Sequence, residues 1–259
     1  MKIKNFLFIS LFSMICGMAQ AQPEVIAHRG FWNTPGSDQN SLASLTKADS
    51  IGCYGSEFDV WITKDNHVMV NHDGNFSGTR IEDSDMKTIS AISLKNGEKV
   101  PTLEAYLKKA KKLKTQLILE VKTHNDKART IACCEEAMRL VKKYKLTKRT
   151  TYIAFSLDAT KYLAANAPKG TEVYYLNGDL SPKELKEIGV AGPDYAWGVI
   201  KNHKDWINQC HELGMKVNVW TVNDDNTMKE LISAKADYIT TDNPVEAERI
   251  RNLYANPGE

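Results

Sequence analysis

The sequence predicts one closed (β/α)8 TIM barrel, a member of the α/β class, and three observations carry that prediction. Strand-like and helix-like runs alternate along almost all of the 259 residues, which is the pattern of a parallel sheet connected by helices. Eight strands remain for this sheet once one short hairpin is set aside. No glycine-rich dinucleotide fingerprint follows the first strand, so a closed barrel is favoured over an open, doubly wound sheet.

Nine short runs are predicted as strands. In chain order they are Glu24 to His28, Gly55 to Trp61, Val68 to His72, Gln116 to Lys122, Thr150 to Phe155, Thr171 to Leu176, Tyr195 to Ile200, Lys216 to Thr221 and Asp237 to Thr240. Only the polar stretch Ile62 to His67 joins the second run to the third, whereas a parallel connection needs roughly a dozen residues. We therefore expect an antiparallel β-hairpin there, with a small polar insertion at about Gly74 to Lys99 after it.

Seven helices are predicted between these strands. They span Ser41 to Ile51, Leu103 to Lys112, Asp126 to Lys145, Asp158 to Asn166, Pro182 to Ile188, Asp205 to Leu213 and Asp225 to Ala234. The first carries Leu42, Leu45 and Ala48 at helical spacing, and Asn40 is predicted to cap it. Several of the others begin at Asp or Ser-Pro, which are N-terminal helix signals.

The first 21 residues have the layout of a secretory signal peptide. Two lysines precede the apolar run Phe6 to Met18, which is too short to span a bilayer, and Ala19-Gln20-Ala21 offers small residues at the cleavage spacing. We expect cleavage near Ala21, which leaves residues 22 to 259 as a barrel domain in the periplasm or outside the cell. A retained membrane anchor is the alternative.

The net charge belongs to this leader. Lys2 and Lys4 account for the formal net charge of +2, so the remainder of the chain is neutral. A neutral chain without a basic patch argues against nucleic acid as a partner. Because no later stretch is apolar enough to cross a membrane, we expect no stable membrane insertion of the mature chain. Oligomeric state is left open.

Cysteine usage predicts no scaffold of disulfides and no metal site. Outside the leader the chain has Cys53, Cys133, Cys134 and Cys210, without Cys-x-x-Cys or Cys/His metal spacing. Export permits disulfides, but Cys133 and Cys134 are adjacent in a predicted helix, where their side chains point apart. We interpret these cysteines as small buried hydrophobic residues.

Three acidic residues are predicted to point into the barrel. Glu57 and Asp59 lie two apart on the second strand and therefore on the same face, and Glu120 repeats the pattern on the next parallel strand. Functional groups of such barrels collect at the C-terminal strand ends. Three inward carboxylates form an all-oxygen site suited to one divalent cation, Mg²⁺ or Ca²⁺. The alternatives for these acids are structural ion pairs with Arg29 and Lys122 or a place on a solvated face.

Two histidines accompany the acids. His28 ends the first strand, and the hairpin returns His72 beside the strand that carries Glu57 and Asp59. A single histidine is more often a surface or satisfied core residue than a catalytic one. The proximity of His72 to the paired acids makes a catalytic role more plausible.

An ordered series of short motifs resembles the glycerophosphodiester phosphodiesterase family. The motifs are His28-Arg29-Gly30, Glu57-Phe58-Asp59-Val60, Asn71-His72-Asp73, Glu120-Val121-Lys122, Val219-Trp220-Thr221-Val222-Asn223 and Asp237-Tyr238-Ile239-Thr240-Thr241-Asp242-Asn243-Pro244. The resemblance covers nearly all of the chain after the leader. It implies a (β/α)8 barrel with an insertion after the second-strand hairpin, and hydrolysis of a small-molecule glycerophosphodiester to an alcohol and glycerol 3-phosphate.

The resemblance also implies roles for individual residues. The metal ligands would be Glu57, Asp59 and Glu120. The general acid/base pair would be His28 and His72, and the substrate phosphate would contact Arg29 and Lys122. We predict Trp220 to be either a substrate-binding residue, packed against the headgroup, or an aromatic residue of the barrel rim or core. Trp32 is open in the same way.

One position departs from the family pattern. Asp38-Gln39-Asn40 stands where the family usually has Pro-Glu-Asn. Gln39 keeps a hydrogen-bonding group but brings no charge, so the role of that glutamate is not transferred to it. We expect the preceding segment, Phe31 to Asp38, to enlarge the mouth of the barrel.

Three other functions compete with hydrolysis of a glycerophosphodiester. A related barrel phospholipase acting on intact lipid would need an apolar rim, which the strand ends do not show. A glycosidase could use paired carboxylates, but two histidines and two cations around them favour phosphate over sugar. A non-catalytic phosphate-binding barrel would have no need of both His28 and His72, although Gln39 keeps that alternative open.

Overall fold

Eight parallel strands close into a barrel in the computed structural model, which describes residues 22 to 255. The strands are β1 (Glu24–Ala27), β2 (Gly55–Ile62), β3 (Val68–Val70), β4 (Asn75–Phe76), β5 (Thr79–Arg80), β6 (Gln116–Val121), β7 (Thr150–Ala154), β8 (Val173–Tyr175), β9 (Gly192–Ala196), β10 (Asn218–Trp220) and β11 (Tyr238–Thr241).

The helices lie mainly between the parallel strands. They are α1 (Leu42–Ser50), α2 (Met86–Ser90), α3 (Leu103–Ala110), α4 (Lys127–Lys143), α5 (Leu157–Asn166), α6 (Pro182–Ile188), α7 (Trp197–Asn202), α8 (Trp206–Glu212), α9 (Asp225–Ser233) and α10 (Pro244–Ala255). A single 3₁₀ turn, Thr147–Arg149, precedes β7.

The barrel closes through β1, which pairs in parallel with both β11 and β2. The remaining order runs β11, β10, β9, β8, β7, β6 and β2. As predicted, β3 pairs antiparallel with β2, with Val60 opposite Val70. The strands β4 and β5 and the helix α2 lie within the insertion that follows. The predicted fold class, a (β/α)8 barrel with a hairpin and insertion after the second strand, is confirmed.

The barrel wall has an apolar outer face against the helices. Phe58 and Val60 are fully buried, and the Phe58 ring lies 4.3 Å from that of Tyr106 on α3, centroid to centroid. Their strand neighbours Glu57 and Asp59 therefore point to the other side, into the barrel. This alternation, predicted from the sequence, positions the polar site described below.

The predicted seventh strand, Tyr195 to Ile200, is wrong over most of its length. The strand is Gly192–Ala196, and the helix α7 begins at Trp197. A short apolar run can be strand or helix, and Gly and Pro at the start of β9 are depleted in strands. Glycine is required at position 192 because a Cβ atom there would lie 1.8 Å from the carbonyl oxygen of Lys216.

Two further local expectations are corrected. The helix α1 is capped by Ser41, whose side chain accepts a hydrogen bond from the Ser44 N–H, and not by Asn40. Asn40 has φ +59° and turns its side chain into the barrel. The terminal helix α10 was not predicted, although its Pro at the first position is a helix-start signal.

Three further expectations concern the signal peptide, membrane-spanning helices and the cysteines. The expected signal peptide, residues 1 to 21, lies outside the described residues. Between residues 22 and 255, no helix combines the length and apolar character needed to cross a bilayer. The four cysteines of this part of the chain are buried, as predicted, and they are unbridged.

Candidate active site

Two adjacent strands bring three acids together inside the barrel. Glu57 and Asp59 on β2 and Glu120 on β6 are 3%, 1% and 7% exposed, and Asp59 is directly opposite Glu120 in the strand register. Each offers a carboxylate oxygen, and these three atoms lie within 4.8 Å of one another. Their spacing allows all three to hold one metal ion.

The turn after β1 holds the first acid. Arg29 and Gly30 have φ of +55° and +76°, and a Cβ atom on Gly30 would lie 2.4 Å from the Ser44 hydroxyl oxygen. Glycine is therefore needed at position 30. In this turn the Arg29 N–H donates a hydrogen bond of 2.7 Å to Glu57 Oε2.

The second acid is held by Asn40, a residue to which the sequence analysis gave only a helix-capping role. Its Nδ2 donates to Asp59 Oδ2 at 2.9 Å, and its Oδ1 accepts from the Asp59 N–H at 3.0 Å. Asn40 is 1% exposed. The side chain thus fixes both the backbone and the carboxylate of Asp59. The sequence feature that could have identified Asn40 as a site residue is its position just before α1.

The two predicted cations border the acids. Lys122 Nζ lies 2.7 Å from Glu120 Oε1 and 3.2 Å from Asp59 Oδ1. The Arg29 guanidinium donates from Nη1 to Gln39 Oε1 at 2.7 Å, and its Nε lies 4.0 Å from Asp59 Oδ2. Gln39 therefore positions the Arg29 side chain through a hydrogen bond and brings no charge of its own.

The carboxylates differ in how well their charge is compensated. Burial, with the charges of Asp59 and Glu120, raises the pKa of Glu57 well above its ordinary value. Burial and the charge of Asp59 raise the pKa of Glu120 to about 8. Burial also acts to raise the pKa of Asp59, but Lys122, with smaller effects of other neighbours, outweighs it and the pKa is lowered.

These pKa shifts and contacts fit a divalent cation. Among residues 22 to 255, no group donates a hydrogen bond to the buried Oε1 of Glu57. Two of the three carboxyls take up protons readily because the neighbouring protein cations do not balance them. An all-oxygen donor set with excess negative charge is what Mg²⁺ and Ca²⁺ bind.

Both predicted histidines face the same cavity, and each ring is held through Nδ1. His28 Nδ1 lies 2.8 Å from Asp242 Oδ1, and His72 Nδ1 lies 2.8 Å from Asp73 Oδ1. Nε2 of each ring is therefore the nitrogen available to a substrate. Burial, assisted by Lys122 and opposed by Asp59, lowers the pKa of His72.

Asp242 joins His28 to a hydrogen-bond network that the sequence analysis did not predict. Trp32 Nε1 donates to Asp242 Oδ1 at 3.0 Å, and Asn223 Nδ2 donates to Asp242 Oδ2 at 2.7 Å. Burial would raise the pKa of Asp242, but these donors and His28 lower it to about 2. Asp242 belongs to the last of the family-like motifs and directly follows the last strand. That position is the signal that could have identified it.

A cavity of about 170 Å³ collects these groups. One wall is polar, with both histidines, Arg29 and Lys122, and the other is apolar. The apolar wall consists of Ile153, Phe155, Leu176 and Trp220. The Trp220 ring packs edge-on against Phe155 at 5.6 Å, and its Nε1 donates to the Asp194 carbonyl at 2.8 Å.

A larger, more open groove of about 760 Å³ lies beside this cavity. Its lining includes Trp32 to Gln39 on one side and, on the other, residues of the insertion, Phe76 and Ser93 to Lys95. The Lys95 N–H donates to Asp38 Oδ2 at 2.7 Å, which ties the loop to the insertion. The structure thus places Trp32 at this outer groove and Trp220 in the inner cavity.

Comparisons with known proteins agree with one another. Residues 28–246 match the Glycerophosphoryl diester phosphodiesterase family. A crystal structure of a glycerophosphodiester phosphodiesterase from Parabacteroides distasonis ATCC 8503 is 48% identical, covers 91% of this chain and 99% of its own, and superposes with a TM-score of 0.89. A glycerophosphodiester phosphodiesterase of Caldanaerobacter subterraneus subsp. tengcongensis is 26% identical over 251 residues, 90% of this chain and 98% of the relative.

One fold relative was solved with a reaction product. An Oleispira antarctica phosphodiesterase in complex with sn-glycerol-3-phosphate has a TM-score of 0.75 and 20% identity, over 89% of this chain and 97% of that one. This likeness concerns the fold. The matched range of the family, residues 28–246, contains every predicted site residue.

Proposed function

Because the chain belongs to the glycerophosphoryl diester phosphodiesterase family and is a phosphoric diester hydrolase, we propose that it uses one divalent cation and two histidines to release glycerol 3-phosphate. The observation that carries the proposal is the meeting of three buried carboxylates and two histidines at one cavity. The product complex of the Oleispira antarctica relative supports the choice of product.

Glu57, Asp59 and Glu120 would hold the cation, Mg²⁺ or Ca²⁺. When bound, the cation would offset the carboxylate charge and draw negative charge from the phosphodiester oxygens. Arg29 and Lys122 add positive charge at the same cavity, where an anionic group meets little competition from water. A phosphodiester repels an incoming nucleophile through its own negative charge, and these cations reduce that repulsion.

The two histidines would move the protons. One accepts through Nε2 a proton from the water molecule that attacks phosphorus. The other donates a proton to the leaving alkoxide oxygen as its bond to phosphorus breaks, so that the alcohol departs and glycerol 3-phosphate remains. Such acid/base catalysis contributes about 10²–10⁴-fold. The carboxylate partner of His28, Asp242, has 22% exposure, against 75% for Asp73 beside His72. The more shielded carboxylate stabilises an imidazolium better, so we assign the acid role to His28 and the base role to His72.

The alternative functions receive less support from the structure. A phospholipase acting on intact lipid would need exposed apolar side chains around its mouth. The large hydrophobic residues exposed between residues 22 and 255 are Val245, Leu253 and Tyr254, all on α10, and none lines the cavity. The paired histidines also remain unexplained by a phosphate-binding barrel without turnover.

The test follows glycerol 3-phosphate release from glycerophosphocholine, glycerophosphoethanolamine and glycerophosphoinositol. We expect release from at least one of them with Mg²⁺ or Ca²⁺ and none in chelator. Glu57→Gln should lose metal affinity and turnover, whereas the matched control Glu187→Gln, on the exposed face of α6, should not. Absence of metal-dependent release from all three substrates would refute the proposal.

We also propose that the protein acts after export, because of the leader at residues 1 to 21. The expected result is a mature N-terminus near Gln22 when the protein is recovered from outside the cytoplasm. N-terminal sequencing measures this directly, and recovery of uncleaved protein in the cytoplasm would contradict it.

A further inference from the structure

Asp194 is a buried acid of the cavity to which the proposed reaction gives no role. It lies on β9, is 2% exposed and borders both the cavity of the histidines and a small cavity of about 10 Å³ nearer the N-terminal ends of the strands. Its neighbour Tyr195 points the other way, since the Tyr195 ring packs near Tyr175 and Trp206 outside the barrel wall. Apolar, branched side chains usually fill such inward positions, so a carboxyl there requires a partner.

The protein supplies only part of that partnership. Within residues 22 to 255, Asp194 Oδ1 has no hydrogen-bond donor, and no Lys, Arg or His nitrogen lies within 4.0 Å of the carboxyl. Burial raises the pKa of Asp194 to about 7, against the opposing effect of Asn218. A buried acceptor without a donor is costly, and a donor on a molecule bound in the cavity would remove that cost.

Asp194 lies apart from the proposed metal ligands. The cluster of ligand atoms within 4.8 Å of one another contains the three acids of β2 and β6 and excludes Asp194. Its strand is separated from β6 by β7 and β8. Asp194 therefore faces the acids from across the barrel, and its charge acts on Glu120.

The surroundings of Asp194 match a small hydroxylated group. Phe155, Leu176 and Trp220 form an apolar wall beside it, suited to carbon-bound hydrogens. The cavity of about 170 Å³ has the volume of roughly six water molecules, which is enough for a small polyol group. A carboxyl can bond a hydroxyl whether or not it is ionised.

We propose that Asp194 is a specificity residue that accepts a hydrogen bond from the terminal hydroxyl of the substrate's glycerol group. This inference rests on the proposed function. With the phosphate at the cations and histidines, the terminal hydroxyl is the glycerol oxygen farthest from the phosphate. It therefore reaches the opposite wall, where Asp194 Oδ1 lacks a donor.

The test compares two substrates in wild type and in Asp194→Ala. The substrates are glycerophosphocholine and its analogue with propane-1,2-diol in place of glycerol, which lacks only the terminal hydroxyl. Choline release serves both. Wild type should prefer glycerophosphocholine by roughly 10- to 100-fold in kcat/KM, the range for a hydrogen bond to a charged group. Asp194→Ala should lose a similar factor on glycerophosphocholine and leave the analogue nearly unchanged.

The matched control is Thr151→Val, which removes a polar group that lines only the smaller of the two cavities bordered by Asp194. This variant should leave kcat/KM unchanged for both substrates. An equal loss on both substrates in Asp194→Ala, or no loss on either, would overturn the proposal. If Asp194→Ala does not fold, Asp194→Asn replaces it. The ratio of kcat/KM for glycerophosphocholine to kcat/KM for the analogue should then be smaller in Asp194→Asn than in wild type.

Failure of the proposed function would give a different result from failure of this inference. Wild type would then turn over neither substrate, and ligand-binding measurements would test the role of Asp194. Calorimetry in the presence of Mg²⁺ or Ca²⁺ would compare glycerol 3-phosphate with propane-1,2-diol phosphate. Tighter binding of glycerol 3-phosphate that disappears in Asp194→Ala supports the inference, and equal binding of the two compounds by wild type contradicts it.

Discussion

Replacing Glu120 by Gln is expected to stabilise the metal-free protein while weakening its metal site. Burial and the charge of Asp59 raise the pKa of the Glu120 carboxyl to about 8, from an ordinary value of 4.5. Folding without metal at neutral pH therefore forces this carboxyl to take up a proton. Gln has the shape of the protonated acid and needs no proton.

The magnitude follows from proton linkage. A raised folded pKa destabilises the protein progressively above the unfolded value of 4.5, up to about pH 8, where the loss levels off. At pH 7 the unfolded carboxyl lies about 2.5 pH units above its pKa, and each unit corresponds to about 1.4 kcal/mol. Glu120→Gln should thus raise the free energy of unfolding by about 3 kcal/mol at pH 7 and leave it nearly unchanged at pH 4.

Urea denaturation in chelator at pH 4, 5.5 and 7 measures this difference. Metal should then reverse the order, because a bound ion stabilises the folded state according to its affinity and the variant has lost one ligand. Glu187→Gln serves again as the exposed control and should show neither effect. A variant that is less stable than wild type in chelator at pH 7, or a difference independent of pH, would refute the reasoning.

Three other outcomes are expected. Asp242→Asn should lower kcat, because it weakens the hydrogen bond that holds His28, and should keep metal affinity. Because the pKa of Asp242 is lowered to about 2, the wild type should lose stability as the pH falls from about 4 to 2. Urea denaturation should show no such loss in the variant. Asn40→Ala removes two hydrogen bonds to buried Asp59 and should lower the free energy of unfolding by about 2–5 kcal/mol, and an unchanged urea midpoint would contradict this. Single Asn variants of His28 and His72 should each lose about 10²–10⁴-fold in kcat/KM, and the double variant should lose little more; a multiplied loss would show that the histidines act separately.

The positions of Glu57, Asp59 and His72 could be predicted because they depend on spacings between residues close in the sequence. The two-residue period alone put Glu57 and Asp59 on one face, and the short link before β3 required a hairpin that returns His72 to the same strand. The strand β9 was misplaced because Gly192 and Pro193 carry no strand signal. Their place in the sheet depends on the approach of the Lys216 backbone, which no local pattern reveals.

Local sequence patterns were enough to predict the fold class and the inward direction of Glu57, Asp59 and Glu120. Asn40 and Asp242 joined the site only in the folded barrel, which sets the partners of these side chains. His28 and Asp242 are 214 positions apart and meet because β1 pairs with β11 when the barrel closes. Asp194 likewise faces the acids only across the closed barrel. Such partners depend on strand order and closure, which are set by packing of the whole chain and not by the spacing of neighbouring residues.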